Sequence, residues 1–152
     1  MDVFHFTEFG KLKYVHHTID TYSEFQWATA LVPEKTDSVI THLLEVMAIM
    51  GVPIQIKTDN GPAYISNKMK QFLNIIKHIH TGISHNPTGQ AIVERSNQTL
   101  MESLNRQKGS TRTPNDRLHS ALLTLKFLNA HEQNTITAER QWIVGKKKKL
   151  LN

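Results

Sequence analysis

Three carboxylates in the sequence are candidates for chemistry because of where they fall. Asp2 opens a stretch that is otherwise apolar or aromatic, and Glu94 lies in a long helical pattern. Asp59 precedes Asn60 at the carboxyl end of a predicted strand, where the ligand sites of open α/β sheets gather. If the three converge, they supply the hard oxygen ligands that Mg²⁺ or Mn²⁺ prefers. Two such ions about 4 Å apart would activate the attacking oxygen and stabilise the leaving one in a phosphoryl displacement.

Each of these carboxylates also has an ordinary explanation. Asp59 begins an Asp-Asn-Gly sequence that favours a simple turn. Asp2 is close to the terminus, where side chains are usually solvated, and a glutamate on a helix such as Glu94 is usually solvated too. Local sequence therefore leaves both interpretations open.

The elements that must position these residues follow from hydrophobic periodicity and turn residues. Three strands are expected first, over Val3 to Thr7, Tyr14 to Asp20 and Phe25 to Leu31. A helix from Thr36 or Asp37 to Met50, a strand over Ile54 to Thr58 and a helix from about Ser66 follow. This order predicts an α/β layered domain with a mixed sheet covered by helices.

A glycine-containing loop is expected from Thr81 to Gln90, after a brief strand near Ile79, and it leads into a long helix that ends near Lys108. On that helix Asn97, Gln98 and Met101 follow Glu94 at spacings that put them on its face, opposite a stripe containing Leu100. Thr113-Pro114 then begins a last amphipathic helix, with Thr113 as its N-cap.

Composition limits the classes of function. The 152 residues suffice for one core, and 18 Lys and Arg against 13 Asp and Glu give a net charge of +5, which suits a polyanionic partner. The absence of cysteine excludes disulfides and cysteine-containing zinc sites. Among nine histidines the closest sets, His16-His17 and His78-x-His80, offer too few ligands for a structural zinc, so packing roles are favoured.

The ends of the chain give two further expectations. No leader or membrane-spanning pattern is visible, so we expect an intracellular protein with no membrane partner. The basic run Lys146 to Lys149 suits phosphate contact or nuclear targeting, with a solvated tail as the plainer alternative.

Several motifs together resemble retroviral integrases and endogenous-retrovirus Pol proteins, with a betaretroviral character. They are Thr58-Asp59-Asn60-Gly61, Gly89-Gln90-Ala91-Ile92-Val93-Glu94-Arg95 with Asn97, Thr18-Ile19-Asp20-Thr21-Tyr22-Ser23, Met50-Gly51-Val52-Pro53 and Gly145-Lys146-Lys147. The resemblance implies a ribonuclease-H-like fold, a mixed five-stranded sheet flanked by helices. It also implies a catalytic core over residues 1–145, with a basic tail over 146–152.

In that family an acidic triad binds two divalent metal ions, Mg²⁺ or Mn²⁺, and the match carries the triad onto Asp2, Asp59 and Glu94. The implied activity is trimming of viral DNA 3′ ends by a metal-bound water, followed by attack of the new hydroxyls on target DNA in the nucleus. The residues implied in DNA binding are Asn60, Asn86, Gln90, Asn97, Gln98, Lys146 and Lys147. A homodimer or higher oligomer through the helices around Val39 to Met50 and Pro114 to Leu128 is implied as well, although the core of a monomer could equally use the apolar stripes of both helices. No small-molecule substrate is expected.

The sequence departs from the family pattern in three ways. Thirty-four residues separate Asp59 from Glu94, one fewer than is usual, and the loss falls near Thr81. Met101 stands where close relatives place a DNA-gripping lysine, and Ser84-His85 replaces a usual Pro-Tyr pair. The first strand would lack its upstream residues, and the flanking zinc-binding and barrel domains would be absent, as in a fragment or a degraded copy. A catalytically inactive remnant that only binds nucleic acid or a host partner is the alternative function, and a ribonuclease H is a distant third.

Overall fold

The computed structural model describes residues 1–32, 35–53, 55–58, 61–76, 87–109 and 111–132, with only the backbone described at 87–90 and 127–132. The strands are β1 (Asp2–His5), β2 (Tyr14–Ile19) and β3 (Gln26–Leu31), and a 3-10 helix (Thr7–Leu12) joins the first two. The helices are α1 (Thr36–Met50), α2 (Pro62–Ile65), α3 (Asn67–Ile75), α4 (Pro87–Asn105) and α5 (Pro114–Glu132). None of the described helices is long and apolar enough to cross a membrane.

The three strands form an antiparallel sheet in the order β1-β2-β3. Asp2 pairs with His17, and His17 pairs with Ala28, so these three side chains point to the same face. This face is covered by α4 and α5, whereas the face that carries His16 is covered by α1. The sheet therefore places Asp2 under α4.

The fourth predicted strand is represented by one bridge residue, Gln55, among the described residues. The backbone nitrogen of Met1 donates to the carbonyl oxygen of Lys57 at 2.6 Å, which brings this segment beside β1. The brief strand expected near Ile79 lies outside the described residues. The sheet over the described ranges is thus three-stranded, and its layered α/β character agrees with the sequence prediction.

Most of the predicted helices are confirmed, with changed ends. Ser66 caps α3 by accepting from the backbone nitrogen of Met69 at 3.1 Å, and Thr113 caps α5 by accepting from that of Asp116 at 3.2 Å. The helix α4 begins at Pro87, so the last four residues of the predicted loop are helical. The first strand ends at His5 rather than Thr7, because the 3-10 helix and the left-handed Gly10 (φ 57°) turn the chain there.

Two apolar clusters hold the helices on the sheet. The cluster under α4 and α5 contains Phe4, Phe6, Phe9, Val15, Ala28, Ala30, Leu100, Leu104, Leu118, Ala121, Leu122 and Leu125. The cluster under α1, α2 and α3 contains Met1, Val39, Leu43, Ala63, Tyr64 and Met69. Helix α5 contributes four members to the first cluster, and α1 contributes two to the second.

A buried arginine joins α5 to the segment before β2. Arg117 donates through Nη2 to Glu8 Oε2 and to the carbonyl oxygen of Leu104, each at 3.0 Å. Its guanidinium carbon lies 5.4 and 5.2 Å from the ring centroids of Phe6 and Phe9, within cation–π range. The charge of Arg117 is therefore compensated inside the first cluster.

The face of the sheet under α1 buries two histidines beside one another. His16 on β2 and His42 on α1 have ring centroids 5.7 Å apart and no exposed surface. Burial lowers the pKa of His16 to about 4 and holds the pKa of His42 well below its usual value of 6.5. Both rings are therefore neutral at neutral pH.

A directed hydrogen-bond chain runs through His42. Thr29 Oγ1 donates to Glu45 Oε2 at 2.7 Å, so it accepts from His42 Nδ1 at 3.0 Å. His42 Nε2 then accepts from Thr18 Oγ1 at 2.8 Å. Glu45 is half-buried and fixes the direction of this chain.

Replacing Arg117 by methionine is expected to lower the free energy of unfolding by about 2–4 kcal/mol, because Glu8 and a buried carbonyl lose their donor. Urea denaturation measures this change. Lys108→Met is the matched control: its exposed ammonium lies 4.0 Å from the other Glu8 oxygen and should contribute about 0.5 kcal/mol or less. Equal losses in the two variants would contradict the assignment of Arg117 as the buried anchor.

Acid should destabilise the fold through the buried histidines. The unfolded chain takes up protons below about pH 6.5, whereas His16 stays neutral in the folded state down to about pH 4. Stability is therefore complete above pH 6.5 and falls towards pH 4, by up to about 1.4 kcal/mol per pH unit for each such histidine. The variant His16→Leu should lose stability less steeply over this window, measured by urea denaturation at stepped pH. A slope equal to that of the unchanged chain would show that His16 is not buried in its neutral form.

Candidate metal centre

The carboxylate of Asp2 is held by a hydrogen bond from the helix that crosses over it. Asn97 Nδ2 on α4 donates to Asp2 Oδ2 at 2.7 Å, and the backbone nitrogen of Val3 donates to Asp2 Oδ1 at 2.8 Å. Asn97 is only 5% exposed, so this bond is shielded from water. It ties two residues that are 95 positions apart in the sequence.

The other end of the Asn97 amide contacts a histidine of the sheet. Asn97 Oδ1 lies 2.7 Å from His17 Nδ1, and His17 Nε2 lies 3.0 Å from Gln26 Oε1. Ser96 Oγ lies 2.9 Å from the same Gln26 atom. Asp2, Asn97, His17 and Gln26 thus form one continuous chain of polar contacts.

Burial determines the charge of the histidine in this chain. Desolvation lowers the pKa of His17 to about 4, although its hydrogen bonds to Asn97 and Gln26 act in the opposite direction. A neutral ring donates from one nitrogen and accepts at the other. The carboxylate of Asp2 contributes only acceptors, so Asn97 turns its NH₂ group to Asp2 and its oxygen to His17, which must then carry its proton on Nδ1.

Glu94 lies close to this chain along the same helix. It precedes Asn97 by three residues, which is less than one turn, or about 4.5 Å along the helix axis. Its side chain is exposed, whereas that of Asn97 is buried. The crossing of α4 over β1 therefore brings a solvent-facing carboxylate to within about one helical turn of the Asp2 contact.

The face of α4 differs from the sequence prediction at two residues, Asn97 and Met101. Buried positions follow the spacing Val93, Asn97, Leu100 and Leu104, so Asn97 belongs to the core-facing stripe and not to the polar face of Glu94. The prediction was wrong because the spacing from Glu94 was taken to put Asn97 opposite Leu100, whereas the buried stripe of α4 includes Asn97. Gln98 is exposed as expected, with its Nε2 3.4 Å from Glu102 Oε1, and Met101 packs against the first cluster.

The remaining predicted site residues carry no described side chain. Gln90 is in α4, where only its backbone is described. Four positions of the implied site and tail, together with the third carboxylate, lie outside the described residues: Asn60, Asn86, Lys146, Lys147 and Asp59. The site defined by the described residues therefore consists of Asp2 and Glu94 with the polar chain behind Asp2.

Sequence reasoning missed three residues of this site, namely His17, Gln26 and Ser96. The available signal was strand alternation: His16 and His17 must point to opposite faces, so each needs its own explanation. His17 shares a face of the sheet with Asp2, and this can be predicted once the register of β1 against β2 is known.

The described carboxylates suit a divalent cation. Asp2 accepts one hydrogen bond on each oxygen, and because a carboxylate offers about four lone-pair sites, both oxygens retain a free one. Asp2 and Glu94 are hard oxygen donors of the type that Mg²⁺ and Mn²⁺ prefer. Among the described residues no group of three or more acidic or imidazole side chains is placed to hold a metal ion.

The sequence is similar to one protein family and to several retroviral polyproteins. The Integrase core domain family matches residues 1–90. The Gag-Pro-Pol polyprotein of mouse mammary tumor virus (strain BR6) is 50% identical over 145 residues, which is 93% of this chain and 8% of that protein. The Gag-Pro-Pol polyprotein of Mason-Pfizer monkey virus is 48% identical over 155 residues, 97% of this chain and 9% of that protein. The chain thus spans less than a tenth of these betaretroviral relatives.

Solved structures share the fold. The HTLV-2 integrase catalytic core domain in complex with magnesium, in a dimeric form, superposes with a TM-score of 0.76 at 26% identity, covering 93% of this chain and 92% of that one. A chain of the simian T-cell lymphotropic virus intasome in complex with PP2A regulatory subunit B56 gamma has a TM-score of 0.78 at 30% identity, covering 93% of this chain and 52% of that one. The fold is therefore ribonuclease-H-like, and with its sheet, its helices and its matched residues the chain belongs to the integrase core domain family, of betaretroviral type.

Proposed function

We propose that this chain is the catalytic core of a DNA integrase, which processes viral DNA 3′ ends and joins them to target DNA with two divalent metal ions. One observation carries the proposal: the Asn97 hydrogen bond to Asp2 brings the helix that bears Glu94 onto the strand that bears Asp2. Family membership supports it, since the matched relatives are retroviral polyproteins and integrase cores. The substrate is DNA, and the nucleus is the place of action.

In this proposal Asp2, Asp59 and Glu94 hold the metal ions. The ions supply activation of the attacking oxygen and charge stabilisation of the leaving oxygen when they are bound. The chain itself contributes position: β1 fixes the backbone of Asp2, Asn97 orients its carboxylate, and α4 sets the distance to Glu94. No side chain of the protein acts as a nucleophile.

Asp59 is the third ligand by its place in the chain. Lys57 is hydrogen-bonded through its carbonyl to Met1, the residue before Asp2, and Asp59 follows Lys57 by two residues. The bond at Lys57 brings the chain segment that leads to Asp59 beside β1, which supports this assignment. In the proposal residues 54–58 and the segment near Ile79 complete a five-stranded sheet.

The DNA would approach the exposed face of α4 and the segments around it. Gln98 is exposed there, and Asn60, Asn86, Gln90, Lys146 and Lys147 are the other proposed contacts. Asn97 has both ends of its amide engaged, so we assign it to positioning Asp2 instead of contacting DNA. The net charge of +5 favours a phosphate backbone, although Met101 contributes no cation beside the site.

A homodimer is the proposed assembly, through α1 and α5. Each of these helices packs one face against the core and also carries a large apolar residue that is exposed. These residues are Leu44 on α1, 53% exposed, and Leu123 on α5, 54% exposed. Burial of such residues against a second copy would remove apolar surface from water.

The variant Glu94→Gln is expected to reduce cleavage and strand transfer of a labelled retroviral DNA end with Mn²⁺ by about 100-fold or more, because a metal-binding charge is lost. Glu102→Gln is the matched control, an exposed glutamate two turns further along the same helix, and it should leave both reactions within about twofold of the unchanged chain. Equal amounts of product from Glu94→Gln and Glu102→Gln would contradict a catalytic role for Glu94. No product from the unchanged chain, with folding confirmed, would favour a remnant that only binds.

The double variant Leu44→Lys with Leu123→Lys is expected to shift the chain to monomer in sedimentation at concentrations where the unchanged chain dimerises. Charges at an apolar interface impose a desolvation cost without a partner. The control Val52→Lys alters an apolar residue that is 50% exposed outside both helices. A dimer that survives the double variant would exclude this pair of helices as the interface.

A further inference from the structure

A buried histidine stands directly behind the first metal-binding carboxylate. His17 on β2 is the register partner of Asp2 on β1, and the two share the face of the sheet under α4. The ring of His17 is fully buried, and its edge packs against Phe4 with ring centroids 6.5 Å apart. The ring is therefore fixed in place by the sheet and by a neighbouring aromatic residue.

The contact between this ring and the carboxylate runs through one amide. His17 Nδ1 and Asn97 Oδ1 are 2.7 Å apart, and Asn97 Nδ2 and Asp2 Oδ2 are also 2.7 Å apart. Both distances are short for bonds that include nitrogen, and the bond to the carboxylate is of the charge-assisted kind. Asn97 thus transmits the position of the ring to Asp2.

We propose that His17 is a positioning residue for Asp2, which orients the carboxylate for metal binding by locking the amide of Asn97. The inference rests on the proposed function, since it assumes that Asp2 is a metal ligand. A terminal amide has two orientations related by a half turn, and only one of them turns NH₂ toward Asp2. A donor on His17 Nδ1 makes that orientation the stable one, because the reverse orientation would set two donors against each other at His17 and two acceptors against each other at Asp2.

The tautomer of His17 determines the orientation that Gln26 must adopt. Gln26 Oε1 lies 3.0 Å from His17 Nε2 and 2.9 Å from Ser96 Oγ. Because Asn97 Oδ1 needs the proton of the neutral ring on Nδ1, Nε2 is an acceptor, and the lock requires the amide of Gln26 turned by a half turn so that its NH₂ group donates to Nε2. Gln26 is thus the outer end of a chain whose inner end is the carboxylate of Asp2.

The neighbouring histidine offers a matched control inside the same strand. His16 is buried as fully as His17, but it points to the opposite face, and neither of its ring nitrogens has a hydrogen-bond partner among the described residues. Replacing either histidine by leucine removes a buried imidazole from β2. Only the change at His17 removes the donor to Asn97.

The experiment measures Mn²⁺ binding to the full chain by electron paramagnetic resonance, with thermal unfolding recorded for each variant. His17→Leu should bind Mn²⁺ about tenfold more weakly, as is typical when the partner behind a metal ligand is lost. His16→Leu should bind as the unchanged chain does. His17→Asn should restore affinity, because its side-chain nitrogen is bonded to Cγ like Nδ1, whereas His17→Gln, with its nitrogen one atom further out, should not.

Two outcomes would overturn the inference. Affinities that are equal for His17→Leu and His16→Leu, while Glu94→Gln loses binding, would refute the role of His17 and leave the proposed function intact. If Glu94→Gln and Asp2→Asn both bind Mn²⁺ as the unchanged chain does, the metal site itself is refuted. If His17→Leu fails to fold, long-range ¹H–¹⁵N NMR of the unchanged chain decides: a proton on Nδ1 supports the lock, and a proton on Nε2 excludes it.

Discussion

The hydrogen bond between Asn97 and Asp2 is the constraint on which the site depends. It is made at the point where an amphipathic helix crosses the first strand, inside a stripe that is otherwise Val93, Leu100 and Leu104. An apolar residue at position 97 would leave both Asp2 Oδ2 and the buried His17 Nδ1 without this hydrogen-bond partner. A polar group in this place must be fully bonded, because an unmade bond in the interior costs about 1–3 kcal/mol.

The fold could be predicted from the sequence to a large extent, because α1 and α5 each bury one stripe and the three strands are rich in β-branched and aromatic residues. Helix and strand ends were less predictable. The 3-10 helix that shortens β1 depends on Gly10 in a left-handed conformation, and the short helix α2, which begins at Pro62, was not predicted. Both helices depend on local backbone conformation, which hydrophobic periodicity does not predict.

The candidate site was predictable only in part. The types of Asp2 and Glu94 indicated metal chemistry, whereas the phase of Asn97 on α4 was wrong, since its partners lie in β1 and β2, 95 and 80 positions away. A polar residue at a core-facing position is indistinguishable from a surface residue until its partner is known. His17 was missed because it was considered together with His16, as a possible zinc ligand or a packing residue, although a strand turns the two side chains to opposite faces.

The second strand is joined by neutral imidazoles to the helices on both sides of the sheet. On one face of the sheet His17 is hydrogen-bonded to Asn97 of α4. On the other face Thr18 is hydrogen-bonded to His42 of α1. His42 is bonded in turn to Thr29, which donates to Glu45 of the same helix. Each chain has one direction, set at its end by a carboxylate that can only accept. Such chains fix the rotation of a helix more narrowly than apolar contact does. A hydrogen bond weakens steeply when its distance or angle changes, whereas each dispersion contact is weak and has no preferred direction. The separation of Asp2 from Glu94 is therefore set by hydrogen-bond direction as much as by packing.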